Sequence, residues 1–91
     1  MRFEFNETKS NINKSKHGID FKEAQLLWED PYAFELPSLQ SGDEERFLVL
    51  GQIHSKIYTA IITYRDANIR VISVRRSREK EIKLYESIRA R

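Results

Sequence analysis

Ile69-Arg-Val-Ile-Ser-Val-Arg-Arg-Ser-Arg-Glu-Lys-Glu-Ile-Lys-Leu-Tyr-Glu-Ser-Ile-Arg-Ala-Arg91 is the stretch that decides the fold. It opens as an extended run of β-branched residues, the kind that packs on a pleated surface. It closes as a charged run in which Ile82, Tyr85 and Ile88 repeat every three residues, with Leu84 beside them, as the narrow apolar stripe of a helix does. Ser77 is the expected N-cap, and Glu79 and Glu81 follow in the first turn, where carboxylates suit the helix dipole. Arg75, Arg76 and Arg78 sit at the join. A strand that ends in arginines and turns into a helix can hold an anion, because guanidinium forks match phosphate oxygens and the helix start offers free N–H groups. Arginines at such a join are also often simply solvated, and this stretch alone does not separate the two.

Upstream, the pattern predicts two further strands in a meander with Ile69–Arg76. Arg46–Ile53 and Lys56–Arg65 are dense in Ile, Val, Leu, Tyr and Thr, joined by His54-Ser55 and followed by Asp66-Ala67-Asn68. Strict alternation places Arg70 and Arg76 on one face and Arg75 on the other. Tyr32–Leu39, broken by Pro37, reads as an edge strand or extended loop, and Ser41–Glu45 as a polar turn. Phe3-Glu4-Phe5 reads as a short strand.

Two helices precede the meander. Residues 7–17 follow a cap at Asn6 or Thr8 and end at Gly18, where glycine accepts the left-handed conformation. Ile12 is its one strong apolar side chain, so it buries little. Lys16 and His17 fall in its last turn, which the dipole alone would explain. The second helix has Asp20 as N-cap and Glu23 at N3, a capping box, with Ile19 and Ala24 placed as a hydrophobic staple. Phe21, Ala24, Leu27 and Trp28 form its buried face, and Pro31 stops it. The whole is read as one α+β domain over residues 1–91: a small antiparallel sheet with two N-terminal helices and a C-terminal helix packed on it.

Composition narrows the function classes. At 40% hydrophobic and 33% charged residues, the chain suits a soluble domain. No cysteine is present, which removes disulfides and thiolate chemistry and suits a reducing cytoplasm. No apolar run has the length of a signal region or a membrane span, so no membrane partner is expected. Residues 1–50 carry six Lys/Arg against ten Asp/Glu, a balance of −4, and residues 51–91 carry ten against four, a balance of +6. A basic C-terminal part on a chain of net charge +2 points to a local anionic partner, with nucleic acid first among them.

No metal site or cofactor is expected. His17 and His54 lie in separate elements, there is no glycine-rich phosphate loop, and no nucleophile-elbow sequence occurs. Metal-free phosphodiester chemistry on RNA needs a base, an acid and cations for the developing phosphorane charge. Lys16, His17, Glu45, Arg46, Arg70, Arg75, Arg76 and Tyr85 are the available groups. His17 is a base or acid candidate because histidine is the residue type suited to proton transfer at neutral pH, Glu45 serves as base only where its surroundings raise its pKa, and the arginines stabilise charge.

Phe3-Glu4-Phe5-Asn6, Lys9, Asn13, Lys16-His17-Gly18-Ile19, Phe21, Glu23-Ala24, Asp30-Pro31, Glu45-Arg46, Gly51, Arg70, Ile72-Ser73-Val74-Arg75-Arg76, Glu81 and Tyr85 together resemble the BrnT family of toxins over about residues 2–86. The Lys16–Ala24 segment is the most specific part, and Ile72–Arg76 with Glu81 and Tyr85 is a second anchor. The resemblance implies a fold related to the RelE toxins and a ribonuclease that arrests translation by cutting RNA without a metal. It implies a BrnA-like ribbon-helix-helix antitoxin in a 2:2 complex, which binds operator DNA and represses its own operon. It carries Lys16, His17, Arg75, Arg76 and Tyr85 to the catalytic site, with Glu45, Arg46 and Arg70 as weaker substrate contacts. Phe5-Asn6 stands where family members usually read Trp-Asp, and Ser73-Val74-Arg75 where they usually read Ser-Ala-Arg. A rival reading is a non-catalytic module that only binds a DNA-binding antitoxin.

Overall fold

The computed structural model describes residues 2–38 and 42–91; Leu39 and Ser41, at the edges of the expected extended segment and turn, lie outside them. The chain forms β1 (Phe3–Glu4), α1 (Glu7–His17), a 3-10 helix (Glu23–Glu29), β2 (Phe34–Pro37), β3 (Phe47–Ile53), β4 (Lys56–Arg65), β5 (Asn68–Arg76) and α2 (Glu79–Arg89). The five strands make one sheet in the order β1-β5-β4-β3-β2.

Local signals are realised where they were strong. The Asn6 side chain accepts the Lys9 N–H at 2.9 Å and starts α1. Gly18 ends it at φ 76°, its N–H returning to the Lys14 carbonyl. Asp20 and Glu23 exchange side chain-to-backbone bonds of 2.7 and 3.0 Å, the expected capping box. The segment after that box is a 3-10 helix rather than the expected α-helix, so α1 is the one N-terminal α-helix among the described residues. It still buries Ala24 and Leu27, and Trp28 packs partly buried against Phe3 at 4.9 Å between ring centres.

The expected antiparallel sheet is a mixed one. β2, β3, β4 and β5 are antiparallel neighbours, but β1 runs parallel to β5, pairing Phe3 with Ile69 and Glu4 with Arg70. A hairpin fixes strand direction through its turn, whereas β1 comes from the far end of the chain and no local pattern encodes its direction.

A second departure changes which arginines share a face. Ile62 pairs with Val71 and Ile61 with Ser73, so Ile72 is an extra residue on β5. Such a bulge reverses the alternation beyond it. Val71 and Val74, three apart, therefore both lie in the core. Arg70 opposes Thr63 and Arg75 opposes Thr59, which puts these two on one face, while Arg76 opposes Tyr58 on the other. The expectation that Arg70 and Arg76 share a face fails for this reason.

One face of the sheet carries the core. Val49 and Ile53 of β3, Ala60 and Ile62 of β4, and Ile69, Val71 and Val74 of β5 cluster with Ile19, Phe21, Ala24 and Leu27. Gly51 lies in this face because the helix end crosses close above it: a Cβ there would stand 3.0 Å from Leu27 and 3.2 Å from the Ala33 Cβ. The opposite face is crossed by α2, whose Tyr85 ring stacks on Phe34 at 6.5 Å.

α1 docks through polar side chains and leaves Ile12 57% exposed. β1 covers only the start of the β5 edge, and Asn13 serves as a surrogate strand beyond it. Its Nδ2 donates to the carbonyls of Val74 and Ile19, each at 2.8 Å, and its Oδ1 accepts the Val74 N–H at 3.3 Å. Ser10 Oγ likewise accepts the Phe21 N–H at 2.9 Å. Asn13→Ala strands three buried backbone groups, and unfolding in urea should show a loss of about 2 kcal/mol; an unchanged midpoint would remove Asn13 from this role.

Candidate functional site

The strand-to-helix join is built around Glu81. Arg75 Nη1 and Nη2 donate to its two carboxylate oxygens at 2.7 and 2.9 Å, a fork-to-fork pair. The Arg78 N–H and the Thr59 hydroxyl also donate to Glu81 Oε1, at 2.7 and 3.0 Å. Ser77, the expected N-cap, instead sets its hydroxyl 2.8 Å from that of Thr59, and Arg78 takes the cap position. The Arg75 hydrogen bond draws the Glu81 pKa down to about 2, against the opposing effect of burial, with the Arg78 and Thr59 bonds assisting. The anion seat expected at this helix start is thus occupied by a carboxylate of the chain itself.

The other expected site residues fall into three places. Lys16 and His17, at the end of α1, line a cleft of about 230 Å³ together with Ile72 and Ser73 of β5. Arg76 follows three residues later, exposed, with its guanidinium carbon 5.8 Å from the Tyr58 ring centre. Lys16 and His17 thereby meet Ile72 and Ser73, although more than fifty residues of chain separate them.

Glu45, Arg46 and Arg70 gather at the opposite end of β5. The Glu45 carbonyl accepts the Thr63 hydroxyl at 2.7 Å, and Thr63 is the cross-strand partner of Arg70. Arg70 donates to Glu4 at 3.2 Å and Arg46 to Glu44 at 3.1 Å. Along the strand this group is roughly 15 Å from Arg75.

Tyr85 is turned inward and only 1% exposed. Its hydroxyl donates to Asp30 Oδ2 at 2.6 Å, and the same carboxylate accepts the Gln52 N–H at 2.7 Å and the Tyr32 N–H at 2.9 Å. Burial works against the Asp30 charge, but the bonds from Tyr85 and the two amides outweigh it and hold its pKa below the usual value. Burial, with the bond to Asp30, pushes the Tyr85 phenol up to about 12. The structure therefore ties Tyr85 to the seam between α2, β3 and the turn at Pro31, and does not bring it to Arg76. Tyr85→Phe removes a bond to a charged acceptor and should cost about 1.5–2 kcal/mol in thermal melting. RNA cleavage should stay within a few-fold of wild type; a hundred-fold loss would return the phenol to the chemistry.

Asp30, Thr59 and Glu81 organise the site, yet residue-type reasoning named none of them as a site group and gave Glu81 only a place in the first turn of the helix. The available signal was spacing: Glu81 stands at the third position after the Arg78 cap, the place from which a carboxylate reaches back to the helix start. Among the described residues no three His, Cys, Asp or Glu side chains converge as a metal-binding group. No helix among them is long and apolar enough to cross a membrane.

Residues 5–81 match the family described as ribonuclease toxin, BrnT, of type II toxin-antitoxin system. The chain belongs to this family. It is a ribonuclease toxin of the type II class, and an antitoxin is its partner. No curated protein matches the chain. The BrnT match takes in Lys16, His17, Arg75, Arg76 and Glu81 and stops before Tyr85.

Proposed function

We propose that this BrnT-family chain is a metal-independent endoribonuclease that cuts RNA through its own 2′-hydroxyl. The observation that carries the reading is the convergence of Lys16 and His17 with Ser73 in one cleft, directly before Arg75 and Arg76. It puts an imidazole and an ammonium against the strand that goes on to Arg75 and Arg76, and the reaction requires proton-transfer groups and cations. The His17 imidazole takes the 2′-hydroxyl proton, the 2′-oxygen attacks phosphorus, and the 5′-oxygen leaves with a proton from the Lys16 ammonium. The products are a 2′,3′-cyclic phosphate and a 5′-hydroxyl. Arg76, and the part of the Arg75 fork not engaged by Glu81, reach round the end of β5 from its two faces to hold the phosphorane charge. Glu45, Arg46 and Arg70 contact the strand farther along.

The same reading takes the fold as RelE-like and the protein as cytoplasmic. It takes the antitoxin as a BrnA-like ribbon-helix-helix protein, joined 2:2, through which the pair binds and represses its operator. A second reading, a non-catalytic module that only binds the antitoxin, draws on Glu81 filling the seat where a phosphate was expected.

Incubation with a defined RNA in excess EDTA, with and without ribosomes, tests the proposal. Cleavage with cyclic-phosphate ends is expected, together with resistance of a substrate carrying a 2′-deoxy sugar at the cut. Equal cutting of the deoxy substrate rejects the 2′-hydroxyl mechanism. Absence of cutting, with normal growth of cells expressing the chain alone, selects the second reading.

A further inference from the structure

Two arginines lie over tyrosine rings, and the two pairs flank the β3–β4 turn. Arg76 covers Tyr58 at 5.8 Å, and Arg89 covers Tyr32 at 5.3 Å. Two clefts run between the pairs and share Leu26, Ile53 and His54. The cleft at the Tyr58 end measures about 250 Å³ and includes Lys56. The cleft at the Tyr32 end measures about 450 Å³, within the range of small-ligand sites. Its far wall is held in place: Arg89 Nη1 donates to Gln52 Oε1 at 2.6 Å, and Gln52 Nε2 donates to the His54 carbonyl at 2.8 Å. The guanidinium is thereby fixed above a tyrosine that is itself 45% exposed.

We propose that the Tyr32–Arg89 cleft seats an unpaired RNA base beside the cut, with the tyrosine ring and the guanidinium as its stacking surfaces. The proposal rests on the ribonuclease reading and names the part of the substrate that this end of the site takes. Aromatic rings and guanidinium planes stack on the flat face that every base offers. Glu29 and His54 line the same cleft and carry side chains able to bond a base edge. This mixture of two acids (Asp30 already engaged by Tyr85 and two amides), one cation and neutral polar groups suits the donor–acceptor edge of a base better than a peptide segment of one charge sign. The path from the cut is continuous. Arg76 leaves the end of β5 over Tyr58, and the shared walls lead round the turn to Tyr32. On α2, Glu81 and Arg89 are eight residues apart, about 12 Å by helix rise. The base would thus stand within a few nucleotides of the phosphate held by Arg75 and Arg76.

Cleavage of a randomised RNA pool, with the ends mapped by sequencing, compares wild type with Tyr32→Ala, Tyr32→Phe, Arg89→Ala and Arg89→Lys. Lys83→Ala on the outer face of α2 is the control. Wild type, Tyr32→Phe and Lys83→Ala should share a base preference at a fixed offset from the cut. Tyr32→Ala, Arg89→Ala and Arg89→Lys should lower that preference about five-fold or more, since lysine keeps the charge but not the plane. Binding of a non-cleavable 2′-O-methyl RNA, read by fluorescence anisotropy, gives the second readout and does not depend on activity. Tyr32→Ala should weaken it by a similar factor. Unchanged preference in an active Tyr32→Ala protein overturns the inference and leaves the ribonuclease reading standing. Unchanged RNA binding with weakened antitoxin binding also overturns it, and assigns the cleft to the protein partner.

Discussion

Arg76→Ala should lower RNA cleavage at least about 100-fold while the melting temperature falls by only a few degrees. The size follows from what one cationic or hydrogen-bonding group contributes when aimed at developing charge in an acyl- or phosphoryl-transfer site. The small loss of stability follows from the surroundings of the side chain. Arg76 is exposed at the end of β5, and among the described residues its side chain makes one specific contact, with the Tyr58 ring at 5.8 Å. Removing it strands no buried partner, and an exposed cation–π contact is worth only about 0.5–1 kcal/mol. Arg75→Ala is the informative contrast, because it would lose activity and stability together by leaving the Glu81 carboxylate unpaired. A double Arg75→Ala/Arg76→Ala variant therefore confounds chemistry with folding, and Arg76→Ala alone separates them. Cleavage rates of the purified proteins, measured beside thermal melts, decide the matter. Activity within a few-fold of wild type would take Arg76 out of the phosphate site.

What the amino-acid pattern revealed of this molecule was set by distance along the chain. Asn6, Gly18 and the Asp20/Glu23 pair act within one helical turn, and each was legible because its partner is three or four residues away. The three-strand meander was legible for the same reason, since its turns are short. The direction of β1 was not, because its partner Ile69 lies at the other end of the chain. The bulge at Ile72 was not either. Strict alternation and a one-residue slip look alike in a run of Val, Ile and Ser, and only the pairing of Ile61 and Ile62 shows the slip. Of the site, the residue types were legible and their grouping was not. Lys16 and His17 meet Ser73 only because Asn13 fastens α1 to the β5 edge. Tyr85 carries a functional-looking hydroxyl, but Asp30 claims it from a different element.

The Glu81 carboxylate should prove the largest single contributor to acid sensitivity at the join. It is mostly buried, with the side chains of Glu81 and Arg75 only 16% and 19% exposed, so solvent screens the pair weakly. A carboxyl drawn from 4.5 down to about 2 contributes about 3 kcal/mol when ionised. The sign follows from the direction of the shift. Because the folded pKa is the lower one, the contribution is complete above about 4.5 and fades as the pH falls toward about 2. Glu81→Gln keeps the shape and abolishes the titration, so at pH 7 it should be about 3 kcal/mol less stable than wild type. The gap should close as both proteins are taken to pH 2, where wild-type Glu81 approaches protonation. Glu4, Glu23 and Asp30 are also held below their usual pKa values and add to the acid loss, but equally in both proteins, so the difference isolates Glu81. Urea unfolding from pH 7 to pH 2 measures it. A gap independent of pH would mean that Glu81 acts through packing alone. A closing gap, accompanied by loss of cleavage in Glu81→Gln that Arg76→Ala does not deepen, would show that the carboxylate also orients the arginines for the phosphate.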